Sequence, residues 1–82
     1  MSRTISIRYF ALLRDLAGLS EERVTIARDA TASQIYLRMA EKYAFPLRLA
    51  DVRLAVNDDF VITDHRLNDG DALAFIPPVS GG

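Results

Sequence analysis

Nucleophiles, bases and metal ligands are scattered along this chain, and none falls in a pattern that does chemistry. Ser33, Ser80, His65 and several aspartates are the residue types of a hydrolytic triad. A triad is defined by mutual geometry, however, and nothing in the spacing places these residues together. His65 lies between Asp64 and Arg66 and reads as a solvated turn histidine. Asp58 and Asp59 offer two adjacent carboxylates, but behind Asn57 they read as turn formers. Asn68-Asp69-Gly70-Asp71 lacks the length and ligand register of a calcium loop. One histidine and no cysteine provide neither a thiolate nucleophile nor a transition-metal donor set. The four glycines, Gly18, Gly70, Gly81 and Gly82, are too dispersed for a phosphate-cradling loop.

The segment Pro77-Pro78-Val79-Ser80-Gly81-Gly82 is different. At average glycine usage, a final Gly-Gly pair arises by chance in roughly one chain in 200. Glycine has no Cβ, so its backbone can enter a channel too narrow for other residues. The diproline is stiff and extended and holds the last four residues away from the body. Residues 77–82 can span up to about 20 Å, enough to reach deep into a partner. The reactive group of such an arm is the terminal carboxylate of Gly82 rather than any side chain.

Such an arm needs a body to display it. Residues 4–10 alternate in polarity, with Ile5, Ile7 and Tyr9 on one face and Ser6, Arg8 and Phe10 on the other, the period of a half-buried strand. Residues 11–17 carry Leu12, Leu13 and Leu16 at helical spacing, and Gly18 is placed to stop a short helix. Residues 22–27 read as a second strand with Val24 and Ile26 inward, antiparallel to the first. The clearest helix starts at Thr31, where Thr31 and Gln34 have the spacing of a capping box. Ile35, Met39 and Tyr43 recur along it, Tyr36 and Ala40 widen the stripe, and Pro46 forces a stop near Ala44 or Phe45. Val52, Leu54 and Val56 mark a third strand that ends at the turn Asn57-Asp58-Asp59. Residues 60–62 form a short fourth strand, residues 64–67 a turn or one turn of 3₁₀ helix, and residues 68–71 another turn. The last strand covers residues 72–76.

A main helix over a sheet of about five strands is a two-layer α+β domain. A β-grasp arrangement fits the order, with the first and last strands parallel neighbours in the middle. The division expected is a domain of residues 1–76 and an extended reactive tail of residues 77–82. If Leu73 and Phe75 face the core, then Ala72, Ala74 and Ile76 face outward beside Arg53, Ala55 and Asn57 and beside Ser6, Arg8 and Phe10. That flat, partly apolar face, continuous with the tail, reads as a docking surface.

Composition excludes other classes. Half of the 82 residues are apolar, so the chain is not disordered. Ten basic and eleven acidic residues give a net charge of −1 with no basic stripe, which argues against a nucleic-acid partner. No apolar run is long enough to span a membrane, and Arg3, Arg8, Arg14 and Asp15 interrupt any signal-peptide pattern, so a cytoplasmic protein is expected.

Phe10-Ala11 with Arg14 and Gly18, then Ala55-Val56-Asn57, then Leu67-Asn68-Asp69-Gly70-Asp71, and finally Phe75-Ile76-Pro77-Pro78-Val79-Ser80-Gly81-Gly82 together resemble the small-subunit family of molybdopterin synthase. The resemblance covers the whole chain in order and length, and the Pro-Pro-Val-Ser-Gly-Gly ending is its specific part. Ile76 stands where an aromatic residue is common in that family. The resemblance implies a ubiquitin-like β-grasp fold and a sulfur-carrier role. The Gly82 carboxylate would be adenylated by an ATP-dependent activating enzyme and converted to a thiocarboxylate. It would then donate sulfur to a cyclic pyranopterin precursor inside a large subunit, in an assembly of two large and two small subunits. A sulfur donor protein is implied as well. No permanently bound cofactor is implied, ATP being used by the activating enzyme. Partner binding would fall to Gly81, Ser80, Val79, Pro78, Pro77, Ile76, Ala74, Phe10 and Arg8. The chain would be half of an enzyme, with no catalytic side chain of its own.

Three rivals remain open. A thiamine-pathway sulfur carrier also ends in Gly-Gly but is usually shorter and lacks the Pro-Pro-Val approach. A ubiquitin-like modifier would form isopeptides, yet that class is commonly lysine-rich and Lys42 is the one lysine here. A plain interaction module would leave its Gly-Gly idle.

Overall fold

A computed structural model describes residues 3–78. Strand β1 (Arg3–Tyr9) leads into helix α1 (Ala11–Ala17), strand β2 (Glu21–Ile26) and helix α2 (Ala32–Tyr43). A single 3₁₀ turn (Leu49–Asp51) precedes strands β3 (Arg53–Val56), β4 (Asp59–Val61) and β5 (Ala72–Ile76).

The period of two in β1 buries Ile5, Ile7 and Tyr9 almost completely. Phe10, read as the end of that strand, instead occupies the extended position before α1. Of the three leucines in α1, Leu13 alone is buried, while Leu12 and Leu16 stay over two-fifths exposed. Gly18 ends α1 as expected, at φ 79°, with its N–H donating to the Arg14 carbonyl at 2.9 Å.

Helix α2 opens on a capping box. The Thr31 hydroxyl accepts from the Gln34 N–H, and the Gln34 side chain accepts from the Thr31 N–H at 3.0 Å. These two bonds satisfy donors the first helical turn would otherwise leave free. Ile35, Tyr36 and Met39 are buried, and Ala44 closes the helix two residues before Pro46.

The five strands run in the order β2-β1-β5-β3-β4. The central pair, β1 and β5, is parallel, and the other neighbours are antiparallel. One face packs on α2 around an aromatic cluster in which Tyr9, Tyr36 and Phe45 surround Phe75 or each other at centroid separations near 5–6 Å. The Tyr9–Phe45 and Tyr36–Phe75 pairs meet edge to face and Tyr36–Phe45 stacks, and such contacts add to what the area each ring buries contributes. The parallel central pair is the β-grasp arrangement expected.

Two details differ from expectation. The β3–β4 turn is two residues, Asn57 and Asp58, at φ 52° and 76°, so Asp59 belongs to β4. Two left-handed residues match the twist of the flanking strands, and Asn and Asp tolerate that conformation best after glycine. A 3₁₀ turn falls at Leu49–Asp51, which was not expected, while residues 63–64 form a plain turn, the first of the two alternatives for that stretch, and Arg66 bridges to Thr31.

Candidate functional site

Strand β5 is the element that would present the tail. Leu73 and Phe75 are fully buried, and Ala72, Ala74 and Ile76 turn to the open face. Register places Arg8 and Ala55 on either side of Ala74, Ser6 beside Ala72, and Arg53 beside Ile76. These residues of the expected outward set share one face, whereas Asn57 lies in the β3–β4 turn with its side chain bonded to Asp71 and to the Ala72 N–H. Arg8, Phe10, Ala74 and Ile76 line one shallow hollow of about 170 Å³ there. Pro77 and Pro78 line a second, larger groove of about 660 Å³, bounded by the 3₁₀ turn, β3 and β4. Val79, Ser80, Gly81 and Gly82 lie outside the described residues.

Phe60 was not singled out from the sequence, yet it stands on this face opposite Ala55 and is 65 % exposed. The Arg53 guanidinium lies over its ring, 4.8 Å from the centroid. Ala55 points outward but is only 6 % exposed. The signal for Phe60 was the Asn57-Asp58 pair. A two-residue hairpin sets Ala55 against Phe60, whereas a three-residue turn obscures that pairing.

Electrostatics on the open face are mild. Arg8 pairs with Glu21 at 3.1 Å with both side chains half exposed, a geometry that contributes little to stability. A stronger polar cluster lies at the boundary between sheet and helix. One Glu22 carboxylate oxygen accepts from the Tyr9 hydroxyl at 2.5 Å and from the Tyr43 hydroxyl at 2.6 Å. Burial pushes the Glu22 carboxyl up, but the bonds from Tyr43 and Tyr9 and the charges of Lys42 and Arg38 outweigh it and hold the group below the usual carboxylate range. Burial, reinforced by Glu22, raises the Tyr9 and Tyr43 phenols. Both phenols are thus locked as donors, and the cluster holds the fold together without offering a base or a nucleophile.

The remaining chemistry-bearing residues resolve into structure. The Ser33 hydroxyl sits 3.3 Å from that of Thr31, and no hydrogen bond joins it to the His65 ring among the described residues. Asp71 is buried and accepts from the Asn57 side-chain amide at 3.0 Å and the Asn68 N–H at 2.8 Å, tying the hairpin turn to the start of β5. No group of three His, Cys, Asp or Glu that could hold a metal occurs among the described residues. No helix there is long and apolar enough to cross a membrane.

Comparison with known proteins bears on the same elements. Residues 7–82 match the ThiS family. The molybdopterin synthase sulfur carrier subunit of Escherichia coli K12 is 37 % identical over 81 residues, covering 95 % of this chain and 99 % of the relative. Among solved structures, a putative molybdopterin converting factor subunit 1 from Pyrococcus furiosus superposes with a TM-score of 0.79 at 30 % identity, covering 94 % of this chain and 99 % of the other. A complex of subunits 1 and 2 of molybdopterin-converting factor from Helicobacter pylori contains a chain that matches with a TM-score of 0.63 at 25 % identity, covering 96 % and 99 %. With its central parallel strand pair, its single covering helix and its end-to-end match, the chain belongs to the ThiS family, has the ubiquitin-like β-grasp fold, and counts the molybdopterin synthase sulfur carrier subunits among its relatives.

Proposed function

We propose that this chain is the sulfur carrier of a molybdopterin synthase and that Gly82 carries the sulfur. The observation that carries the reading is the end-to-end likeness to sulfur carrier subunits. The architecture supports it, because β5 runs from the centre of the sheet directly into Pro77 and Pro78. The described residues also offer no competing catalytic centre.

A carboxylate is a poor electrophile, so it must first be activated. The Gly82 carboxylate attacks the α-phosphate of ATP on an activating enzyme, pyrophosphate leaves, and an acyl-adenylate forms. A persulfide sulfur on a donor protein displaces AMP to form an acyl disulfide, and a second thiol then cleaves the S–S bond, forming a disulfide with the donor's cysteine and leaving a thiocarboxylate on Gly82. The large subunit then accepts the arm, the sulfur passes to a cyclic pyranopterin precursor, and water restores the carboxylate. A dithiolene needs two sulfurs, so two charged carriers are consumed per product, in keeping with an assembly of two large and two small subunits. Pro77, Pro78, Val79, Ser80 and Gly81 make the arm, and Arg8, Phe10, Ala74 and Ile76 belong to the docking face. The likeness to the Helicobacter pylori complex supports a large-subunit partner. The setting is cytoplasmic, where ATP is available.

Intact mass spectrometry of the chain incubated with its activating enzyme, ATP and a sulfur donor tests the reading. The expected product is heavier by the difference between a sulfur and an oxygen atom, and fragmentation places the change on Gly82. No such product under these conditions refutes the proposal, and a stable amide adduct to another protein supports a modifier role instead.

A further inference from the structure

Beside the larger groove the open face carries a charge without an ion pair among the described residues. Arg8 is paired with Glu21, and Arg48 with Asp51 at 3.2 Å. Among the described residues, Arg53 has neither an ion pair nor a side-chain hydrogen bond. It is nonetheless held in place, its guanidinium lying on the exposed Phe60 ring and its backbone in register with Ile76. Arg23, set opposite Ser6, adds further positive charge to this face. The ground around Arg53 is mostly apolar, with Phe60, Ile76, Pro77 and Pro78 along the larger groove; Asp51, which also lines it, is paired with Arg48.

Covering such a face strips water from the guanidinium. Burying an unmatched charge costs several kcal/mol, and a guanidinium carries a planar N–H fork suited to a bidentate acceptor. The contact with the Phe60 ring limits the directions the side chain takes before an acceptor arrives. A carboxylate answers both the charge and the fork. The groove beside Arg53 provides room for the side chain that bears it, and Pro77 and Pro78 in its wall set that contact at the root of the arm.

We propose that the Arg53 guanidinium, laid on the Phe60 ring beside Ile76, is the anchor for an aspartate or glutamate of the large subunit, set in an otherwise apolar patch of that protein. The inference rests on the sulfur-carrier reading and names a specificity contact within it. The anchor holds the two bodies in register while the arm enters.

Titration calorimetry of the full chain against the large subunit from the same organism tests it. Arg53→Gln is expected to weaken binding by at least about 30-fold and Arg53→Glu by more. Arg53→Lys is expected to recover only part of the loss, because an ammonium lacks the fork. The same losses are expected in a chain truncated after Pro78, which separates the anchor from the arm. Thermal unfolding of each variant should match the parent, since the side chain is exposed and has no ion pair or hydrogen bond among the described residues. Parent-like affinity of Arg53→Gln or Arg53→Glu overturns the anchor while leaving the thiocarboxylate chemistry standing. Arg53-dependent self-association of the chain without large-subunit binding overturns it in favour of a second copy as the occupant. A missing thiocarboxylate with Arg53-dependent binding intact overturns the carrier reading and supports the anchor.

Discussion

Replacing Glu22 with alanine removes the acceptor that ties β1, β2 and α2 together, and the structure sets the size of the loss. The Tyr9 side chain is buried, so its hydroxyl loses a bond to an ionised acceptor with little water to replace it. The Tyr43 hydroxyl loses the same acceptor in a less enclosed place. The Lys42 ammonium stands 3.8 Å from the other Glu22 oxygen and is half exposed, so its departure adds little. Hydrogen bonds to charged groups contribute about 1.5–3 kcal/mol each, and partial access of water to Tyr43 brings the sum to about 3 kcal/mol. For a domain of this size that is roughly 12–24 °C in Tm. The assay is urea unfolding followed by far-ultraviolet circular dichroism, with Tyr9→Phe and the double variant completing a cycle. The pH dependence has a definite sign. The folded carboxyl titrates below its unfolded value, so its contribution is complete above about pH 4.5 and fades as the pH falls through the lower folded value. Glu22→Ala should therefore lose most at neutral pH and converge on the parent in acid. A loss under about 1 kcal/mol at neutral pH, or strict additivity with Tyr9→Phe, refutes the reasoning.

Four further outcomes are expected. Deleting Gly82 should abolish thiocarboxylate formation and leave the unfolding curve unchanged; a sulfur-bearing product from the truncated chain would remove the terminus from the mechanism. Gly81→Val places a branched side chain in the arm and should slow adenylation or sulfur transfer by an order of magnitude or more, read by single-turnover mass spectrometry. Ile76→Asp replaces an apolar docking residue with a carboxylate beside Arg53, where it competes for the guanidinium, and should weaken binding to the large subunit by at least about 30-fold in calorimetry. Thr31→Ala removes one half of the capping box and should cost about 1 kcal/mol in urea unfolding, with no effect on partner binding.

The elements legible in the sequence were those governed by local rules. The Ile5, Ile7, Tyr9 alternation, the Thr31–Gln34 box, the Gly18 stop and the outward set of β5 all depend on neighbours a few residues away, and all stand where the pattern put them. The features that escaped depend on register or on distant packing. Phe60 joins the open face because two left-handed residues, not three turn residues, connect β3 to β4. The hold of Glu22 on Tyr9, 13 positions away, and on Tyr43, 21 positions away in the other direction, joins three elements, and an alternating strand gives no hint of it. Leu12 and Leu16 lie on the helix their spacing indicated but stay exposed, since helical spacing says which residues share a face but not whether anything covers it.

The parallel pairing of β1 with β5 has a mechanical consequence. A protein that grips the arm and pulls draws β5 along its own axis, with ladders of hydrogen bonds to β1 on one side and β3 on the other. Tension in that direction loads the rungs in shear, all at once, instead of peeling them one by one as it would at an edge strand. A strand in the middle of the sheet is thus a tether that can be tugged from a deep channel, again and again, without unravelling the domain behind it.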